Sequence, residues 1–450
     1  MLLFAHGIVG RADLPIPETL FAAAAAAVLV VSFFALAMGW SRPKLAAKTG
    51  RPLFAVPRAL EIVLGALGVF LFFLVVYAGL LGTDTQSQNL APSAVYVGFW
   101  VGVPVLALLL GDVFSHISPW RALGRATGWV AGRFGALPEP LEYPARLGRY
   151  PAAFWLFAFA ICELAWARGT QPGSLAVLML IYLVVMLVGM SIYGVEPWVR
   201  NADGFGVLFA LIGSLSPLGR ESGDGKVHLR VPGTGTARLA PVVGTAALAI
   251  VSVGSTAFDG AKEGALFNDI AIELQGFFRD LGFGIGTALE LGFVVGLAGA
   301  VAIVGLIYVL GMAGMRPPEG RTRRDLGLAF AHTLVPIAAG YLVAHYFSLL
   351  AYNGQDLWRL LSDPLGDGSD LFGAADRDID YGVVSATGIW YVQVAALVVG
   401  HVAALVLAHD RALELYGSAR AATRSQVVML LLMVAFTCLG LFLLSAALNA

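Results

Sequence analysis

Long apolar runs alternate with short polar connections along the whole chain. Ten runs, near 18–40, 60–82, 94–116, 151–167, 174–195, 239–259, 287–314, 326–350, 384–408 and 426–448, are predominantly apolar. Each is close to the roughly twenty residues that a helix needs to cross a bilayer. The pattern predicts an all-α polytopic membrane protein. Residues 1–450 form a single integral membrane domain, a bundle of about ten transmembrane helices. The run at 151–167 is the shortest and carries Glu163.

The connections supply the orientation. Residues 41–59 hold Arg42, Lys44, Lys48, Arg51 and Arg58, and 117–150 hold Arg121, Arg125, Arg133, Arg146 and Arg149. The connections 196–238, 315–325 and 409–424 are also basic, whereas 83–93 has no Lys or Arg and 351–383 is acidic. Basic connections stay on the cytoplasmic side. The expected location is therefore the cytoplasmic (inner) membrane, multi-pass, with both termini outside.

Three connections are too long for simple turns. SPWRALGRATGWVAGRFG is basic and amphipathic, as an interfacial helix is. EPWVRNADGFGVLFALIGSLSPLGR holds an apolar run too short to span. The ESGDGKVHLRVPGTGTARL that follows reads as a small polar cytoplasmic excursion of β type. Outside, a short amphipathic helix around Trp358 leads into an acidic loop whose aspartates match no calcium-loop spacing. Gly292, Gly296 and Gly299 form a small-residue stripe for close helix packing.

Composition agrees with this reading. Of 450 residues 58% are hydrophobic and 13% charged, and the mean hydropathy is +0.81. A soluble chain carries about 25% charged residues. A net charge of −1 gives no basic face for a nucleic-acid partner. The partners expected are the lipid bilayer and either a second membrane subunit or another copy of the chain. Cys162 and Cys438 lie in apolar runs and read as packing residues. The N-terminus lacks the basic start of a cleavable signal peptide.

The candidate chemistry lies in the buried polar groups. Four of the seven histidines, His332, His345, His401 and His409, fall between 326 and 409. An ionisable group inside a span is costly and marks a functional candidate. At about 1.5 Å per residue, His332 lies roughly 9 Å and His401 roughly 10 Å from the cytoplasmic edge. Asp112 and His116, four apart on one helical face, reach the same level. The expected inner, metal-ligating group is thus His332, His401, His116 and Asp112, with His409 at its boundary. The expected outer, catalytic group is His345, Asp259 and Glu163, near Trp390, Tyr391 and Gln393, with His6 close by.

Each group also has a plain structural reading. The buried histidines can hydrogen-bond backbone carbonyls, Asp112 and His116 can pair at a helix end, and Asp259 can cap a turn. Three chemical readings stand beside these. One is a divalent transition metal such as zinc, activating water for hydrolysis. Another is a haem gripped by two histidines, as in a membrane redox protein, and the third is a relay for protons or a site for a translocated ion, as in an ion or metal transporter or permease using the same groups.

Several stretches carry a family resemblance: AHGIVGRADLPIPETLF, SPWRALGRATG, EPWVRNADGFGVLFALIGSLSPLG, GSTAFDG, HTLVPIAAGYLVAHYFSLL and GHVAALVLAHDRAL. They resemble a set of bacterial polytopic membrane proteins labelled fenitrothion hydrolase. The resemblance implies a hydrolase of lipophilic phosphotriesters and brings no assigned catalytic residues. After GSTAFDG it leads one to expect an aromatic-rich continuation, where this chain has AKEGALFND.

Overall fold

The computed structural model describes residues 18–135, 139–221 and 225–449, and His6 lies outside them. The chain is mostly helical. In order come α1 (Glu18–Gly39), strand β1 (Arg51–Ala55), α2 (Arg58–Leu81) and α3 (Leu90–Leu110). Then follow α4 (Pro119–Phe134), α5 (Tyr150–Leu164), α6 (Pro172–Tyr193), α7 (Gly204–Gly213), β2 (Leu218–Arg220) and β3 (Lys226–Leu229). The rest is α8 (Thr245–Ala261), α9 (Ala265–Asp280), α10 (Ile285–Ala313), α11 (Arg323–Ser362), α12 (Ala386–Tyr416), α13 (Ala419–Ser425) and α14 (Val427–Asn449).

Among the described residues six helices are long and apolar enough to cross a membrane: α2, α3, α6, α10, α11 and α12. A seventh is added if α13 and α14, bent by 44°, count as one span. The expected runs at 18–40, 151–167 and 239–259 are helical too, but the apolar parts of α1, α5 and α8 are shorter.

Hydrogen bonds tie the basic connections to one another. The β1 strand, from the first of them, pairs with β3, which pairs with β2, in a sheet of order β1-β3-β2. The excursion after α7 was legible as β structure, but its third strand comes from a connection read as plain loop. Asp410 of α12 accepts from the Trp40 indole and from the amides of Lys44 and Leu45. The Arg411 guanidinium donates to Ala237 O, Arg149 N to Val243 O and Tyr416 OH to Arg316 O. All five basic connections therefore gather at one end of the bundle. At the other end 83–93 meets the acidic loop, with Thr83 N donating to Leu365 O and Leu90 N to Pro364 O.

Local chemistry sets the irregular elements. The apolar run too short to span is α7, which ends where Arg230 donates to the carbonyls of Gly213, Ser214 and Ser216. A guanidinium thus takes the carbonyls that a helix end leaves open. The helix around Trp358 is not separate: α11 continues unbroken to Ser362, and Trp358 stacks on Phe372. In the acidic loop Asp370 accepts from Ser362 and from the amides of Ala374 and Ala375, so it holds its own loop. Residues 265–280, read as connection, form α9, an amphipathic helix against α10. A Cβ on Gly296 would collide with Phe267 of α9 and Phe258 of α8, so part of the glycine stripe exists to admit these rings.

Candidate functional site

The outer group converges. Asp259, on the last turn of α8, turns toward α11, where His345 and Tyr346 are consecutive. His345 Nε2 and the Tyr346 hydroxyl both donate to Asp259 Oδ2, each at 2.9 Å. Lys262 Nζ stands 3.0 Å from Asp259 Oδ1, one helical turn further on. Glu163 of α5 lies within electrostatic reach of both Asp259 and Lys262. The Asp259 side chain is fully buried, and those of His345 and Lys262 are only 8% and 11% exposed. Two carboxylates and one ammonium thus share an apolar site with an imidazole and a phenol.

Sequence reasoning named His345, Asp259 and Glu163 and missed Lys262 and Tyr346. The signal for Lys262 was its i, i+3 spacing from Asp259. It belongs to AKEGALFND, the stretch that directly follows GSTAFDG. Asp259 was also expected to cap a turn, and instead it binds a neighbouring helix. Of the α12 residues placed nearby, Trp390 and Gln393 are buried, while Tyr391 is 51% exposed and stands apart.

Next to this cluster the middle of α3, Ala94–Gly102, is wound as a π-helix. Tyr96 and Trp100, four residues apart, lie nearly on one face. Trp100 lies beside Tyr346 and, with Tyr96, packs on Phe159 of α5. Tyr96, Phe159 and Cys162 also line an apolar cavity of ≈ 430 Å³ between α2, α3, α5 and α6. Glu163 directly follows Cys162 and lies within electrostatic reach of Tyr96.

Of the cavity's lining residues Leu71 and Ile181 alone are exposed. Leu71 lies on α2 and Ile181 on α6, two helices that touch where Gly79 meets Pro172 and Ala176. At the inner wall Trp120 Nε1 donates at 2.6 Å and the Tyr182 hydroxyl at 2.8 Å to the Asp203 carboxylate, just before α7. Burial pushes the Asp203 carboxyl up to about 6. Sequence reasoning missed this carboxylate, which no spacing pattern marks.

The inner group does not converge. Asp112 is exposed and accepts from Ser115 N, not from His116. His116 points instead toward Glu61, 3.7 Å away, which also holds Arg220. His332 Nδ1 donates to Ala329 O and His401 Nδ1 to Leu397 O, each within its own helix. His409 Nε2 donates to Trp40 O.

His332 and His401 are not level. α11 and α12 cross where Gly340 meets Gly400, close enough that a Cβ on either would strike backbone of the other. His401 is therefore level with Gly340, and His332 lies about 10 Å nearer the basic end. Among the described residues no three His, Cys, Asp or Glu side chains are grouped to hold a metal ion. The expected ligand set of His332, His401, His116 and Asp112 is thus four separate residues, and the first two cannot grip one haem.

Compared with family models, curated proteins and solved structures, the chain finds no match.

Proposed function

We propose that this chain is a ten-helix protein of the cytoplasmic membrane, with both termini outside, that hydrolyses an uncharged lipophilic phosphotriester at the Asp259–His345–Glu163 cluster. The orientation is supported by the five basic connections meeting at one end, the end that stays cytoplasmic. The shorter helices α1, α5 and α8 complete the ten. The activity rests on one observation above the others: a buried acid–base cluster lies behind the wall of an apolar cavity, next to its lining residues Tyr96 and Cys162. The resemblance read in the sequence supplies the reaction class.

In the chemistry we assign, water attacks phosphorus, and the P–O bond to the leaving group breaks. The cluster takes the proton that the water loses and returns it to the departing oxygen. Asp259 orients His345 and stabilises the ring when it is charged, as a carboxylate does for a catalytic imidazole. Glu163, next in sequence to the cavity-lining Cys162, provides a second acid–base group. The aromatic wall keeps bulk water away and strengthens these interactions. The metal expected of a hydrolytic centre has no gathered ligands among the described residues, so no step is written through one. Purified protein releasing 4-nitrophenolate from diethyl 4-nitrophenyl phosphate would support this; a rate equal to the protein-free blank would end it.

A second reading, passage of protons or ions, is favoured by polar groups on α8 and α12 that hydrolysis leaves unused.

A further inference from the structure

The face of α8 that carries Asp259 is polar for most of its length. Ser252, Ser255 and Thr256 precede Asp259 at spacings of seven, four and three residues, which puts all four on one face. All four are buried, and the face turns to α11, because Asp259 meets His345 and Tyr346 there. The hydroxyls of Ser255 and Thr256 both donate to Ser252 O. Ser252 Oγ itself finds no hydrogen-bond partner among the described residues.

Among the other buried atoms in that condition are His401 Nε2 and His332 Nε2. Both rings have their Nδ1 hydrogen committed to a backbone carbonyl, so each Nε2 is an acceptor. Counted along the helices, Ser252 lies about 10 Å inward of Asp259. His401 is at a similar level, from the Gly340–Gly400 crossing, and His332 is roughly another 10 Å inward. There η-turn Ala331–Thr333 of α11 packs against the start of α8. An unmatched polar atom at such depth is costly and calls for a partner.

We infer that these groups form a proton path from the Asp259 cluster to the basic end of the bundle, through Ser255, Thr256, Ser252, His401 and His332, with water bridging the intervals. In each hop a hydroxyl or water accepts a proton on oxygen and gives another up, while each imidazole, its Nδ1 hydrogen held by a backbone carbonyl, takes the proton at Nε2 and releases it from Nε2 to the next water, so no group is consumed. The outer end is faced by Glu163 of α5, Lys262 of α8 and His345 and Tyr346 of α11. His401 is faced by Tyr341 of α11 and Phe436 of α14, and His332 by Arg411 of α12. The path does not depend on hydrolysis, since a proton could use it whatever reaction the cluster performs.

The test uses the full-length protein in phosphatidylethanolamine–phosphatidylglycerol vesicles containing pyranine, with a potassium gradient and valinomycin to draw protons inward. Lumenal acidification faster than in protein-free vesicles is expected, with loss in Asp259→Asn. The deciding pair is Ser252→Thr against Ser252→Val. Both add the same bulk, but only threonine keeps the hydroxyl, so Thr retains the flux and Val loses it. Acidification no faster than in protein-free vesicles, or equal flux in the Thr and Val variants, overturns the path. Ester hydrolysis, measured separately in detergent, is not part of either outcome.

Discussion

Asp259 and His345 stand 86 residues apart in the chain and 2.9 Å apart in the fold. The same carboxylate holds Tyr346 and Lys262, so one buried side chain organises partners from two helices. Its neutralisation should reach every property of the site.

Replacing Asp259 with Asn leaves the Lys262 ammonium buried without its main counter-charge. Breaking a buried pair from one side costs about 3–5 kcal/mol. Thermal melting in detergent should therefore fall clearly in Asp259→Asn and recover in the double variant Asp259→Asn/Lys262→Met. A double variant no more stable than the single one would mean that the two side chains are not coupled.

Asp203 should make stability depend on pH in a particular direction. Its native carboxyl titrates at about 6, against 3.8 for the ordinary group, because burial disfavours the charge. The folded state thus holds the proton more tightly than the unfolded state. The resulting stability is complete below the unfolded value near 4 and is lost as pH rises through about 6. The wild type should lose ground to Asp203→Asn across that window, by on the order of 3 kcal/mol. A melting difference that stays constant from pH 4 to 7 would refute the assignment.

Filling the cavity should separate binding from folding. Ala158 of α5 lines it. In Ala158→Phe the new ring should occupy that space, keep the melting temperature near wild type and raise KM for a bulky triester. An unchanged KM would show that the substrate goes elsewhere.

Asp410 should hold the first basic connection in place. Its carboxylate accepts from Trp40, Lys44 and Leu45, and hydrogen bonds to a charged acceptor contribute about 1.5–3 kcal/mol each. Asp410→Ala should therefore speed tryptic cleavage after Lys44 in vesicles that present the basic end to solvent. Cleavage at the wild-type rate would mean that the strand pairing of β1 fixes the connection alone.

The sequence made the elements easier to read than their meeting points. Apolar length located every one of the ten runs as helix, and the charge bias grouped the five basic connections that hydrogen bonds join. Depth counting brought His345, Asp259 and Glu163 together, because Asp259 and Glu163 lie at the ends of α8 and α5 and His345 lies far along the apolar run 326–350. It failed for His332 and His401, because counting began from expected helix ends. α12 runs on to Tyr416, eight residues past the expected end, which sinks His401 deeper. The glycine crossing with α11 then fixes the register, and no local pattern encodes which glycines will meet. Helical rise also gives height and not direction, so Asp112 and His116 were placed at a level they share with groups they do not face. The strand β1 and helix α9 were missed because each is stabilised by a partner distant in sequence or by packing, not by its own apolar period.

The central claim is that the Asp259 cluster performs acid–base chemistry on a lipophilic ester drawn from the bilayer. The most direct test is 4-nitrophenolate release from diethyl 4-nitrophenyl phosphate by the full-length protein in lipid nanodiscs. Wild type is compared with Asp259→Asn/Lys262→Met, the variant that restores stability without restoring the carboxylate. The account expects turnover by the wild type and its loss in the folded double variant. Turnover by the double variant at the wild-type rate, or none by the wild type, would contradict it.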